Sequence, residues 1–333
     1  MNKNRLFKLL KADDQKVFDT VEDFMHNHGY TVFTMDGGFL FGVPEKSNNT
    51  MLVAHADTLK PAKTKVKLIE DKGMLYNKHG VLGADDRAGV EAMLSIVENL
   101  EAQDPMPFLL LTADEEVGGL GAKAFVESDI LSTYQSEIYL MIELDRRGVN
   151  EFVCYSPMDD EVYSIMDTLG YDESMGSYSD VVDITDAYDI AHVNIGVGYF
   201  DQHTKFERLS YMGLNFAISN VPNIMDMVDR PLGTVEPVFS NKHNTFGMNK
   251  YGGGGSHYAS GNYGYGLLPE DEQPYMYKDT PNGMQPIGND KPACPYCGEV
   301  YDIEAEDATL FLCYHCFCMY DKNRQIYIDG QIR

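Results

Sequence analysis

The chain has 333 residues, with 52 acidic against 26 basic side chains and a formal net charge of −26. A field of that sign repels nucleic acid and anionic membranes, and no run of 18 or more apolar residues offers a membrane span. With 44% hydrophobic residues, the length suffices for one large domain plus a small module.

The start, MNKNRLFKLLKADD, is basic and partly apolar. Its apolar stretch is too short for a signal peptide and no small-residue cleavage site follows, so it reads as a first helix. Residues 14–28 carry Val17, Phe18, Val21, Phe24 and Met25 on one helical stripe. Short β-rich runs follow at Thr31–Phe33, Phe39–Val43 and Met51–His55, separated by Gly, Pro and Asn. Val66–Glu70 and Met74–Asn77 flank Asp71-Lys72-Gly73 as a hairpin would. Helical patterns occupy 87–100, 121–127, 159–168 and 205–228, and apolar strand-like runs occupy 108–112, 138–144, 151–155 and 193–197. Apolar strands alternating with helices predict an α/β fold, a mostly parallel mixed sheet flanked by helices.

Composition changes near residue 230. Between Pro231 and Asp290 lie 11 glycines, many Tyr and Asn, and little apolar periodicity. The division expected is therefore a catalytic domain over 1–229, a Gly/Tyr/Asn-rich linker over 230–290 and a small module over 291–333.

In a parallel sheet, ligands gather at the carboxyl ends of strands. The acidic and imidazole groups fall there or next to a helix start: His55 with Asp57, Asp85-Asp86, Glu115-Glu116, Asp145 and His203. Such a set suits zinc-like ions. Asp57, two residues after His55 on extended chain, faces the same way and can fix its tautomer. Of Asp85 and Asp86, one can bridge two metals while the other caps the following helix. Of Glu115 and Glu116, one can ligate metal while the other moves protons. Glu143 reads as an additional ligand or a buried partner of Arg146 or Arg147. His26, His28, His79 and His192 lack such a context and read as surface or structural.

Taken in order, the segments HxDT, GADDRAG, ADEEVGGLGA, ELDRRG and GYFDQHT resemble the co-catalytic di-zinc aminopeptidase and carboxypeptidase superfamily, over roughly residues 15–228. The run from Ser179-Asp180 through Val193 to His203 is similar to its leucyl aminopeptidase branch. The resemblance implies roles. His55 and Asp145 would hold one zinc, with Asp57 orienting His55. Asp85, judged by its distance of four from Gly89, would bridge, and Asp86 is the lesser choice. Glu116 and His203 would hold the second zinc, and Glu115 would be the catalytic base. Only 29 residues separate His55 from Asp85 and 57 separate Asp145 from His203, too few for the large insertions of some relatives. Arg146-Arg147 departs from the pattern, because an Arg can hold a substrate carboxylate.

The last module has its own signal. Cys294-Pro-Tyr-Cys297 and Cys313-Tyr-His-Cys316, 15 residues apart, have the spacing of a structural zinc ribbon similar to rubredoxin-like knuckles. Residues 291–333 hold 4 basic and 7 acidic side chains, which disfavours nucleic acid and leaves partner docking or self-association. With no secretory signal, clustered CxxC pairs fit a reducing cytoplasm. The expected function is a di-zinc hydrolase of a peptide or related amide bond, most simply an aminopeptidase, with three zinc ions per chain. A carboxypeptidase or N-acyl amino acid deacylase, or an inactive peptidase-like scaffold recruiting partners through the ribbon, are the alternatives.

Overall fold

The computed structural model describes residues 1–35, 38–59, 66–100, 104–176 and 178–234, together with the backbone of six short strands nearer the C-terminus. The chain divides into two compact units, Met1–Pro237 and Val238–Arg333.

In the first unit, helices α1 (Lys3–Leu9) and α2 (Asp14–Asn27) precede strands β1 (Thr31–Met35), β2 (Phe39–Val43) and β3 (Ser47–His55). The hairpin β4 (Leu68–Asp71) and β5 (Met74–Asn77) turns at Lys72-Gly73, where both residues adopt positive φ. Then come α3 (Ala84–Asn99), β6 (Met106–Thr112), α4 (Leu120–Glu127), β7 (Leu140–Arg146) and β8 (Glu151–Val153). The unit closes with α5 (Asp160–Thr168), β9 (Asp172–Glu173), α6 (Asp180–Tyr188), β10 (His192–Gly196), β11 (Tyr199–Phe200), β12 (Arg208–Ser210) and α7 (Tyr211–Met227).

Eight strands form one mixed sheet in the order β1-β2-β6-β3-β7-β10-β8-β9. Its centre, β6-β3-β7-β10, is parallel. Alternation along the strands sends side chains to two cores, one on each face. Leu40, Leu52, Ala54, Leu109 and Leu111 join the larger core with α2, α3 and α7. Phe39, Phe41, Met51, Val53, Phe108 and Leu110 join the smaller one with residues of α4 and α6. Helix α3 is buried along nearly its whole length, from Ala84 to Val97. Gly89 permits this, since a Cβ there would stand 2.0 Å from the Leu144 carbonyl oxygen.

Two elements depart from the sequence expectation. The helix expected over 205–228 starts only at Tyr211, because Ser210 caps it through the Gly213 N–H at 3.2 Å. Residues 208–210 pair instead with Tyr76, Leu75 and Met74 of β5. Helix α6 is absent from the sequence reading. Its Val181, Val182, Ile184 and Thr185 are poor helix formers, and burial of Val181, Ile184 and Tyr188 overrides that preference. Ordered contacts also run past residue 230. Arg230 pairs with Asp159 at 2.9 Å, and Thr234 bridges to Met158.

In the second unit, Tyr277–Lys278 pairs with Gln285–Pro286, and Leu310–Leu312, Met319–Asp321, Ile326–Ile328 and Gln331–Ile332 form an antiparallel meander. Cys294, Cys297, Cys313 and Cys316, and most of the expected linker, lie outside the described residues. Among the described residues no helix is long and apolar enough to cross a membrane.

Candidate metal centre

His55 ends β3, Asp145 is the penultimate residue of β7, and Glu115-Glu116 follow β6, so three adjacent parallel strands deliver them to one rim. Asp85 and His203 arrive differently. Asp85 stands in the first turn of α3, next to a cis Asp85–Asp86 peptide, and His203 sits between β11 and β12 in the left-handed region, φ 64°.

The geometry centres on Asp85. Its Oδ1 lies 3.2 Å from His55 Nε2 and its Oδ2 3.0 Å from His203 Nε2. His55 Nε2 is also 3.6 Å from Asp145 Oδ1, and His203 Nε2 is 2.9 Å from Glu116 Oε1. All the residues expected as ligands in this unit are thus brought together. Asp86 is placed otherwise. Its Oδ1 accepts the Gly89 N–H at 2.9 Å and its Oδ2 the His55 N–H at 3.2 Å, so both oxygens serve the backbone.

These spacings suit metal ions. Donors about 2.0–2.1 Å from a tetrahedral zinc stand roughly 3.3 Å from one another. The donor atoms of His55, Asp85 and Glu116 lie within 4.8 Å of one another, as do those of His55, Asp86 and Asp145. Glu116 Oε1 is buried and finds no hydrogen-bond partner among the described residues, despite the nearby His203 nitrogen. A buried orphan oxygen beside an imidazole nitrogen is the arrangement a cation resolves.

The surroundings hold each donor in place. Asp57 Oδ1 accepts from His55 Nδ1 at 3.1 Å, which turns Nε2 toward Asp85 and Asp145. The same carboxylate accepts the N–H groups of Glu115 at 3.1 Å and Glu116 at 3.2 Å. Asp145 receives Tyr199 OH on Oδ1 at 3.0 Å and Ser179 Oγ on Oδ2 at 3.3 Å. The β7–β10 register shifts between Asn194 and Gly196, and there the Asn194 amide exchanges two hydrogen bonds with the Asp145 backbone, at 3.1 and 3.0 Å. Arg87, fully buried, donates to the Ala56 carbonyl and to Asp14 of α2.

Burial and crowded charge perturb the acids and bases. Burial acts to lower the His55 pKa, but Asp145, Asp57 and Asp85 outweigh it and hold it well above the usual imidazole range. Asp85, to which it hydrogen-bonds, and the adjacent Glu116 carboxylate raise His203 to about 10. Burial would raise Asp85, yet the two imidazoles hold it below the usual carboxylate range. Burial, with Asp145, Asp180 and Asp85 nearby, pushes Glu115 up to about 8, although His55 pulls the other way. Burial lifts Asp145 to about 6 and Asp180 to about 7. Glu143 is buried and raised well above the carboxylate range for the same reason, with Asp145 and Asp180 adding to it. Metal ions would displace the imidazole protons, so uptake releases protons.

Several contributors escaped the sequence reading: Glu207, Arg87, Asp180, Tyr199 and Asn194. Arg87 and Tyr199 fall inside the motifs GADDRAG and GYFDQHT, and Asp180, Asn194 and Glu207 lie in or beside the run from Ser179 to His203, which was the only available signal. Arg146 donates to Ser174 Oγ at 2.8 Å and the Met175 carbonyl at 3.1 Å, and pairs with Glu151 at 3.3 Å, while Arg147 is exposed. His192 is structural: its Nε2 accepts the Tyr155 N–H at 3.0 Å and its Nδ1 meets Thr185 Oγ1 at 2.8 Å.

Residues 42–188 match the model of Peptidase family M28. The uncharacterized protein YqjE of Bacillus subtilis (strain 168) is 28% identical over 125 residues, 36% of this chain and 32% of that protein, so the chain spans about a third of the curated relative it matches. The fold is similar to that of aminopeptidase PepT from Bacillus cereus ATCC 10987, with a TM-score of 0.55 at 16% identity, covering 69% of this chain and 100% of that one. It is also similar to a tripeptidase from Staphylococcus aureus subsp. aureus Mu50, with a TM-score of 0.54 at 16% identity, covering 68% and 97%. The match to Peptidase family M28 lies within the part of the chain that carries the strand-end cluster, and the fold is that of the two peptidases.

Proposed function

We propose that the chain is a di-zinc aminopeptidase, hydrolysing the first peptide bond of substrates with a free amino terminus. The observation that carries this reading is the sharing of Asp85, one oxygen toward His55 and the other toward His203. In it, Asp85 would be shared between two ions, His55 and Asp145 would hold the first, and Glu116 and His203 would hold the second. When bound, the ions supply Lewis acidity that polarises the scissile carbonyl and brings the pKa of a water toward about 7.

The remaining work belongs to the chain. Asp57 keeps the Nδ1–H of His55 occupied, so Nε2 stays a donor of its lone pair. Glu115 takes the proton of the attacking water and returns it to the leaving amine. Its raised pKa suits a group that must release that proton again, and nearby cations would bring it down toward the operating range. As Asp145 and Asp180 ionise they favour an ammonium over a carboxylate at this rim, and Arg146 is already engaged by Ser174, Met175 and Glu151. That supports attack at the amino end.

Full-length protein loaded with zinc and offered amino-acid p-nitroanilides, their N-acylated forms and amine-blocked peptides tests the reading. Turnover confined to free-amine substrates is expected. Turnover of only N-acyl or amine-blocked substrates would assign a deacylase or carboxypeptidase instead, and no turnover with ions bound would favour the binding scaffold. In the same reading Cys294, Cys297, Cys313 and Cys316 hold a third, structural zinc in a module for self-association or partner docking. Loss of one zinc from Cys294→Ser, with the other two retained, is the check.

A further inference from the structure

Glu207 takes no part in the chemistry above, yet it is only 1% exposed and lies against the centre of the site. Its Oε2 accepts the Gly83 N–H at 2.8 Å, and its Oε1 accepts those of Ala84 at 2.6 Å and Asp85 at 3.1 Å. These are the orphan donors at the start of α3, where the N-cap residue, Gly83, has no side chain to offer. A distant carboxylate does the capping, and the Asp85 side chain is left to face the two histidines. Three N–H groups converging on one acceptor favour a carboxylate over an amide, whose NH2 would be turned against a donor.

The placement of Glu207 in the chain gives this contact a second consequence. It lies four residues after His203 and directly before β12, which is anchored to β5. One side chain therefore fastens the His203 segment to the Asp85 turn. Those two segments meet again where His203 Nε2 stands 3.0 Å from Asp85 Oδ2.

We infer that Glu207 is a positioning residue for the ion site formed by Asp85, Glu116 and His203, setting the separation between the first and last of these. The inference rests on the two-metal reading. It places Glu207 outside the ligand set and outside proton transfer. Its effect falls mainly on one ion: the other also shares Asp85, but its His55 and Asp145 are held independently by Asp57, Tyr199, Ser179 and Asn194.

The test is a zinc titration of full-length metal-free protein against a chromogenic chelator, wild type beside Glu207→Gln. Thiolate sites in the tail are common to both proteins and cancel. One of the two strand-end ions should bind about 10–100-fold more weakly in the variant, with the other weakened much less. Urea unfolding of the metal-free proteins supplies the structural control. Selective weakening of one ion supports the inference. Equal weakening of both in step with lost stability of the metal-free protein, or two ions bound as in wild type, overturns it. A wild type that binds no ion at the cluster fails earlier and sinks the two-metal reading with it. Should Glu207→Gln not fold, Glu207→Asp keeps the charge and shortens the reach, and the same two outcomes decide.

Discussion

The carboxylate of Asp57 and the imidazole of His55 meet at 3.1 Å, and that same carboxylate also accepts the backbone N–H groups of Glu115 and Glu116. One buried side chain thus orients the His55 ring and locates both acids of the neighbouring loop. Asp57→Asn is expected to lose about 10–100-fold in zinc affinity or in kcat/KM, because an amide turns an NH2 toward at least one of these donors. Chelator competition and steady-state kinetics on the variant measure both. Wild-type values in both would remove Asp57 from the site.

Glu115 and Glu116 are adjacent but differently placed. Glu116 Oε1 lies 2.9 Å from His203 Nε2, whereas the Glu115 carboxyl has burial and surrounding carboxylates lifting it to about 8. Glu115→Gln should cost roughly 10²–10⁴-fold in turnover with zinc content near wild type. Glu116→Gln should lose metal and activity together. Metal analysis beside kinetics checks the pair, and an exchange of the two phenotypes would reverse the assignment.

Gly89 holds the wall of the site. A Cβ there would come 2.0 Å from Leu144 O and 2.4 Å from Asp86 Oδ1, both fixed parts of the interior. Gly89→Ala should destabilise the fold by about 1–3 kcal/mol or more, since the helix must move off the sheet. Urea denaturation measures this, and an unchanged midpoint would show that α3 can shift freely.

Burial also gives a pH dependence through a group outside the strand-end cluster. His192 is 1% exposed, and burial lowers its pKa to about 4. The folded state therefore resists a proton that the unfolded chain accepts at about 6.5. The corresponding stability is fully present above about 6.5, declines as pH falls and is gone near 4. The gap is worth roughly 3 kcal/mol. His192→Gln should flatten this part of the acid limb in denaturation curves recorded between these pH values. An identical slope in the variant would show that other groups carry it.

Much of this architecture was legible in the sequence. The apolar runs of β3, β6 and β7 announced buried parallel strands, and the imidazole and carboxylates at their ends pointed to a shared rim. Asp85 could be preferred over Asp86 only through its spacing to Gly89. In the structure both Asp86 oxygens accept backbone N–H groups, while one of them also lies near His55 and Asp145. Glu207 and Arg87 were not legible, because their partners are backbone groups of segments distant in sequence. Helix α6 was hidden by β-branched residues whose burial decides against their local preference. The start of α7 was drawn too early because β12 carries no signal of its own in three residues.

The central claim is that two ions share Asp85. Crystals of the zinc-loaded full-length protein, measured at the zinc absorption edge, test it most directly. The account requires two anomalous peaks flanking the Asp85 carboxylate, one beside His55 and Asp145 and the other beside Glu116 and His203. A single peak, or peaks away from Asp85, would contradict it.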